Sequence, residues 1–595
     1  MKLDPSQRRV VDAECDERLL VTAGAGQGKT EVVAARLVSL LDGGISASTE
    51  VLVLSFSRAA VHAIRSRLAD RDLADVNVRT FDSFASELLL DLDEEPTGSY
   101  GARIRQAGAA LRAAAEAPAA VADLRHLIID EAQDLVGDRA DFVLAILDAL
   151  PVDAGLTVLG DPLQGIYDFV LDESESSTSS ETFFTRLRDG YRLESVSLDH
   201  HYRARGTDCL RVLDLGVQLR SETDPSAATQ LVETFKASLP SRRGIDDWTF
   251  VRSFTGRSAI LCQSNAEVLR VSRAMSSQGV RHSVRRPAQH VGAAPWLGKA
   301  LAPLPGPTAA QSDVEAALAA QVGGTHESVD CRWTLLKSTE GFSRNRYQIN
   351  LRRVANRVRS GSVPLTLTAP DDASIVVSTI HRAKGLEFDN VFIVKASTDR
   401  YEDSWARIRR DYVALTRARD HLEVIELVRS WTSIREFHWL PGRLQERTGR
   451  RPKTRACAIE FTQSDVYTGR PTGSGAKSAA DIQRVLTDAV PGSSVTAELD
   501  VERSDLDFPV YALLLDGEPI GVTNEEFGTA FARLFNVRRG VWPAELADLL
   551  LVSVETTAGD PRMTEQAGVG PGGFWLVPRI VGMARPQWDA MEEVR

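Results

Sequence analysis

Cysteine is scarce in this sequence. The five residues, Cys15, Cys209, Cys262, Cys331 and Cys457, share no C-x-x-C spacing. A disulfide framework and a thiolate metal cluster are both disfavoured, and a reducing compartment fits. Long apolar runs are absent too, so no membrane-spanning segment is expected. The opening MKLDPSQRRVV lacks the apolar centre of a secretory leader, and a cytoplasmic protein is expected. Positive charge is in deficit: 70 Lys and Arg against 82 Asp and Glu give a net charge of −12. That argues against a surface that coats nucleic acid indiscriminately and leaves room for a local basic groove. The cations are mostly Arg, which suits planar, bidentate phosphate contacts. No internal repeat stands out.

What is present is a globular composition, 43% hydrophobic and 26% charged, over 595 residues. That length exceeds one core and predicts about three to five domains. Residues 1–170 alternate apolar strands, at 18–22, 51–55, 127–130 and 157–160, with amphipathic helices. This is the pattern of a parallel α/β sheet. A second α/β run follows, with strands at 259–262, 375–378 and 391–394. The span 443–455 is basic and turn-rich and reads as a linker. Beyond it, YALLLDGEPIGV reads as a hairpin around Asp516 and Gly517, and NEEFGTAFARLF as a helix. A small α+β module is expected there.

The stretch TAGAGQGKT, residues 22–30, lies between an apolar strand and an amphipathic helix. Gly24, Gly26 and Gly28 let backbone N–H groups approach phosphate oxygens, with Ala23, Ala25 and Gln27 completing the cradle. Lys29 supplies charge for the β and γ phosphates, and Thr30 a hydroxyl for Mg²⁺. In LIIDEAQDL, a buried strand delivers Asp130, as a holder of Mg²⁺, and Glu131, as the group that polarises an attacking water. In LTVLGDPLQGIYDF, Gln164 can sense a γ phosphate, while Tyr167 and Phe169 offer stacking faces. Taken alone, this third stretch also reads as an ordinary turn with core aromatics.

The order of motifs over residues 3–427 resembles the UvrD/Rep/PcrA group of superfamily 1 DNA helicases. LDPSQRRVV resembles the adenine-reading motif, with Gln7 as reader. LSFSRAAVHAIRSRL and RTFDSFASELL resemble motifs Ia and Ib, and DEAQD and GDPLQGIY motifs II and III. LDHHYRA resembles motif IV, with Tyr202 stacking on adenine and Arg203 reaching the γ phosphate. VSTIHRAKGLEFDNVFI and RRDYVALTRARDHLEVI resemble motifs V and VI, with Arg417 as the second arginine finger.

The resemblance implies an α/β fold of two RecA-like domains, 1–185 and 186–440, and an accessory module at 456–595. It implies ATP and Mg²⁺ at a site where Lys29, Thr30, Asp130, Glu131 and Gln164 come from the first domain. The second supplies Arg203, Arg417 and Glu387, with Glu387 near the ribose. Single-stranded DNA contacts carry over to Phe56, Thr80, Tyr167, Phe169, Thr379 and His381. For Phe56 and Phe169 core packing is the alternative, and for His381 a structural role.

Departures fall mainly on the nucleic-acid side. Ser57-Arg58-Ala59 replaces a Thr-Asn-Lys run, Asp82 a His, Val170-Leu171 an Arg-Gly and His201 an Asn. The family's 1B and 2B insertions are reduced here to about 91–122 and 285–373. The second contains a basic stretch, SRNRYQINLRRVANRVR, which reads equally as a phosphate-binding face and as a solvated helix face. No Asp…Glu-x-Lys nuclease core is found in the C-terminal module, and Trp542, Trp575 and Trp588 read as core. The expected activity is ATP-dependent 3′→5′ movement on single-stranded DNA or tailed duplex, in repair, recombination or defence. The rival is a DNA-sensing ATPase that gates a protein partner, such as a nuclease in an anti-phage system, through the C-terminal module.

Overall fold

The computed structural model describes residues 3–588 apart from 57, 70, 72–75, 169, 170, 172–175, 287–290, 322–325, 342, 344, 370–372, 396–403, 429, 451, 452, 538 and 539; of 58, 59, 100, 326–328 and 365 it describes the backbone only. The chain forms two compact units, Met1–Leu239 with Thr398–Leu422, and Pro240–Ser397 with Glu423–Arg595.

The first unit is built on six strands: β1 (Arg18–Thr22), β2 (Val51–Ser55), β3 (Val78–Thr80), β4 (His126–Asp130), β5 (Gly155–Gly160) and β6 (Glu194–Ser197). They run parallel in the order β3-β2-β4-β5-β1-β6. Both faces are covered, which is why β2 (VLVLS) and β4 (HLIID) read as nearly unbroken apolar runs. Leu52, Leu54, Leu127 and Ile129 meet the helices Phe81–Asp91, Tyr100–Ala113, Asp138–Ala149 and Ser180–Gly190 on one face. Val51, Val53, Ile128 and Leu159 meet Pro5–Val11, Lys29–Asp42 and Arg58–Ala69 on the other. The reduced first insertion contributes Tyr100–Ala113, tied into this layer by Arg105 to Asp138 at 2.9 Å.

The second unit contains a second sheet: β7 (Ser241–Ile245), β8 (Ser258–Cys262), β9 (Ser283–Val284), β12 (Ile375–Thr379), β13 (Phe388–Val394) and, from Glu423 onward, β14 (Ala418–Leu427), in the order β7-β14-β13-β8-β12-β9. Its registered pairs are parallel. Residues 285–373 form helices Pro295–Leu301, Gln311–Ala319, His326–Glu340 and Leu351–Arg359 around the small antiparallel pair β10 (Thr308–Ala310) and β11 (Gln348–Asn350).

The C-terminal part is an eight-stranded sheet: β15 (Ser433–Phe437), β16 (Leu440–Arg450), β17 (Lys453–Phe461), β18 (Ser494–Leu499), β19 (Tyr511–Leu515), β20 (Glu518–Val522), β21 (Glu545–Ala558) and β22 (Phe574–Gln587), ordered β15-β16-β17-β22-β21-β18-β19-β20. The hairpin expected at Asp516 and Gly517 joins β19 to β20, with both turn residues at positive φ, 51° and 80°. Asn524 caps the helix Glu525–Phe535 that follows. The α/β class with a smaller α+β part is thus as the sequence implied. The insertion shares its core with this sheet: Leu297, Leu301, Trp333 and Val354 pack with Ala558 and Phe574.

The basic span 443–455, expected as a linker, instead forms most of the β16–β17 hairpin. The reason is a buried charge. Glu446 is fully buried, met by Arg273 at 2.6 and 3.0 Å and by Arg585 at 2.8 Å. One face of the strand is therefore internal although its sequence is polar. No helix among the described residues is long and apolar enough to cross a membrane.

Candidate nucleotide site

The site lies along the carboxyl ends of the parallel strands of the first unit. β1 ends at Thr22, and the Ala23 N–H donates to the Gly160 carbonyl at 3.0 Å, tying the glycine loop to the end of β5. Gly26 and Gly28 hold left-handed backbone, φ 79° and 80°. Neither has room for a side chain: a Cβ would lie 2.6 Å from Arg203 Cβ at Gly26, and 2.8 Å from Gln7 Nε2 at Gly28. The helix Lys29–Asp42 starts on Gly28 with no side-chain cap, so no side chain takes its first N–H groups. That is the arrangement a phosphate needs. Within the loop, Gln27 folds back so that its side-chain oxygen accepts from Gly24 N–H.

Lys29 Nζ lies 3.3 Å from Glu131 Oε2. Glu131 sits in left-handed backbone, φ 54°, a strained conformation that turns it out of the strand end. Asp130, the last residue of β4, is buried. Its Oδ2 accepts from Ser55 Oγ at 3.4 Å, and its Oδ1 has no hydrogen-bond partner. Burial, then the neighbouring charge of Glu131, push its pKa up to about 7, with Lys29 pulling the other way. A buried carboxylate oxygen without a donor is what a divalent cation would satisfy. Thr30, in the first turn of the helix, is the other residue of the expected cation set.

A hydrogen-bonded chain runs from this point. The Gln133 amide donates to Glu131, while its oxygen accepts from Asp161 N–H at 3.0 Å. Asp161, fully buried, accepts from Gln164 Nε2 at 2.8 Å and from Arg220 at 2.9 and 3.3 Å. Gln164 Oε1 accepts from Arg417 at 3.1 Å. Arg417 is itself 2% exposed and braced by the Val413 carbonyl at 3.0 Å. Arg203 and Arg417 thus belong to the same compact unit as the glycine loop.

Arg220 is the member that sequence reading missed. Its guanidinium stands 3.0 Å from where a Gly24 Cβ would be, and 3.4 Å from Tyr412 Oη. It occupies the last turn of the helix Thr207–Ser221, where a basic residue is ordinary, so its local sequence carries no signal.

On the base side, Tyr202 Oη donates to Asp4 at 2.8 Å and to Gln7 Oε1 at 3.3 Å, and Gln7 Nε2 donates to the Gln27 carbonyl at 3.2 Å. The Tyr202 N–H meets the Gly26 carbonyl at 3.0 Å. His201 faces Gln27 Nε2 at 3.3 Å. Burial, then Arg220, His200 and Arg203, push its pKa down to about 4, so it is neutral at physiological pH and engages the amide much as asparagine would.

Among the expected nucleic-acid contacts, Phe56 and Tyr167 stack at 5.3 Å and 23° between planes, both half-buried. Thr80 ends β3 beside them in register, opposite Ser55, and caps the next helix. Asp82 pairs with Arg139 at 3.0 Å, and Arg139 lies 5.5 Å from the Phe56 ring centre, so a cation stands beside the substituted position. Phe169 lies outside the described residues. Thr379, His381 and Glu387 belong to the other compact unit. There Thr379 ends β12 and caps Ile380–Ala383, His381 is half-buried in that helix, and Glu387 immediately precedes β13.

The fold and loop define a P-loop nucleotide-binding protein of the RecA-like α/β type. Residues 3–98 match the UvrD/REP helicase N-terminal domain, and residues 374–425 the UvrD-like helicase C-terminal domain. The chain is also similar to DNA helicase IV of Escherichia coli (strain K12), 38% identical over 88 residues, which is 15% of this chain and 13% of that protein. These matched stretches are similar to UvrD-like helicases and span about a quarter of the chain. Among solved structures, the Pif1 helicase from Candida albicans is 15% identical with a TM-score of 0.35, covering 71% of this chain and 95% of that one. Pif1 from Bacteroides, solved with ADP-AlF3 and ssDNA, is 14% identical with a TM-score of 0.34, covering 72% and 94%.

Proposed function

We propose that this protein is an ATP-hydrolysing DNA motor that moves 3′→5′ along single-stranded DNA and opens tailed duplexes. The observation that carries this reading is the polar chain Lys29–Glu131–Gln133–Asp161–Gln164–Arg417. It joins the phosphate-facing groups to the segment that bears Tyr167, three residues beyond Gln164 and stacked on Phe56. A change at the phosphate is thereby coupled to a base-stacking surface. Lys29 and the loop N–H groups bind the phosphates, Glu131 orients the attacking water, and Arg203 and Arg417 stabilise the charge that develops. Gln7 and Tyr202 read adenine. Asp130 and Thr30 would hold Mg²⁺, which supplies charge neutralisation on the β and γ oxygens. Phe56, Thr80, Tyr167, Phe169, Thr379 and His381 contact the strand, and Glu387 lies near the ribose.

The test is ATPase and unwinding by the purified chain with 3′- and 5′-tailed duplexes. DNA-stimulated hydrolysis with unwinding from the 3′ tail alone is the expected result, abolished by Lys29→Ala; hydrolysis that persists in that variant overturns the site. A second reading, a DNA-sensing ATPase that gates a partner in defence, is favoured by the first insertion, whose main helix belongs to the layer of the sheet. DNA-stimulated hydrolysis without unwinding would select it.

Arg220 gives a separate expectation. Arg220→Met should leave ATP affinity within about threefold and lower turnover roughly 10- to 100-fold, the range expected for losing hydrogen bonds to a charged group. Arg220→Lys should recover part of it. Steady-state kinetics check this: a rise in KM alone would mean that Arg220 only helps to bind the nucleotide.

A further inference from the structure

We infer that the β15–β17 ribbon is a second nucleic-acid-binding surface, engaging the phosphate backbone with its arginines and the bases with its aromatic rings. This rests on the nucleic-acid reading above and extends it to a part of the chain outside both family matches.

Away from its tip the ribbon is packed on both faces, with Gln445 and Ile459 buried in register with Arg435. Ile434 and Leu444 pack with Leu269, Ala458 and Met583, and Glu446 is locked between Arg273 and Arg585. On β15, Arg435 and Phe437 alternate on the other face, and Ser433 sits opposite Arg447. Both guanidiniums address one ring: Arg435 Cζ lies 4.5 Å from the Phe437 centroid and Arg447 Cζ 5.4 Å. Trp439 adds a second ring 6.2 Å from Phe437. Arg447 is aimed by two bonds to Thr454, at 3.1 and 2.8 Å. Toward the tip, Arg450 pairs with Lys453, and Thr448 with Arg455, placing three more exposed cations together. At that same end, just before β15 begins opposite Arg447, stands Trp431, 90% exposed.

Two features separate this surface from an ordinary solvated edge. First, among the described residues none of Arg435, Arg450, Lys453 and Arg455 has a carboxylate partner, in a chain whose net charge is −12. Nearby arginines are paired: Arg443 with Asp465, Arg273 and Arg585 with Glu446. Second, charge on an edge strand discourages strand-to-strand pairing, but that needs neither an exposed indole nor two guanidiniums on one ring. Unpaired cations interleaved with aromatic faces suit a polyanion that also offers flat bases. An acidic protein supplies the charge without the bases.

The test measures binding of a labelled oligothymidylate to the full-length protein without nucleotide, as a function of salt. In Arg435→Gln/Arg450→Gln/Arg455→Gln, affinity should fall about 10-fold or more. The slope of log affinity against log salt should become shallower by about 2, since each single-strand phosphate contact contributes roughly 0.7. The triple Arg→Lys variant keeps the charge and should keep the slope. Trp431→Ala should weaken binding about 5-fold or more with the slope unchanged. If the wild type binds and the Gln variant, melting like it, binds equally well with the same slope, the ribbon proposal is overturned. If the wild type binds no nucleic acid, the reading under Proposed function fails first and this one with it.

Discussion

Arg417→Ala is expected to slow ATP turnover about 10³-fold or more while ATP remains bound, as for the loss of an arginine that acts on the transition state. Arg417 is almost wholly buried and donates to the Val413 carbonyl at 3.0 Å, Thr416 Oγ1 at 3.0 Å and Gln164 Oε1 at 3.1 Å. An arginine braced in this way would meet a phosphate with little freedom to lose. The bond to Gln164 makes the two act together, so a Gln164→Ala change on top of Arg417→Ala should add much less than its own effect. Single-turnover hydrolysis and calorimetric binding of a non-hydrolysable analogue separate the two quantities. Loss of binding would show that Arg417 serves ground-state affinity instead.

Asp130→Asn should do two opposite things: lower Mg²⁺-dependent turnover about 10³-fold or more, and stabilise the nucleotide-free protein. The first follows from removing the carboxylate that would meet the cation. The second follows from linkage. Asp130 has a folded pKa of about 7 against an ordinary 3.8. Such a group favours the folded state fully only below its unfolded pKa, and that contribution is lost as pH rises through the folded one. At neutral pH the wild type carries the penalty of a buried charge, which asparagine does not. The variant should melt a few degrees higher at neutral pH, on the order of 2–4 °C per kcal/mol for a domain of this class. The gap should close toward pH ~4, near the carboxylate's ordinary pKa. A variant that melts lower than wild type at neutral pH would show that Asp130 holds the fold rather than a cation.

The glycine loop and its helix were legible because their pattern is local. Glycines at fixed spacing, a lysine and a helix start are all written within nine residues, and the buried strands β1 and β2 fall where their apolar runs stand. What could not be read depended on distant partners. Arg220 looks like any basic residue ending a helix until Asp161 is brought to it from 59 positions away. Arg139 likewise gains meaning only from Asp82 and Phe56. The 443–455 span misled because strand patterns count charged residues as exposed, and Glu446 is internal only by virtue of Arg273 and Arg585. The short strands β3 and β9, of three and two residues, fall below any periodic signal.

The shared core of the 285–373 insertion and the C-terminal sheet bears on how this chain can be cut or recombined. Gly298 N–H donates to Thr556 Oγ1 at 2.8 Å, that hydroxyl donates to the Ala294 carbonyl at 2.6 Å, and Glu555 is buried between Arg286 and Arg579. Segments more than 250 residues apart in sequence thus complete one another's interior. A chimera that borrows the tail without the insertion, or trims the tail as if it were an appendage, would expose apolar surface on the half that remains. The two form, in effect, one cassette made of distant stretches of the chain.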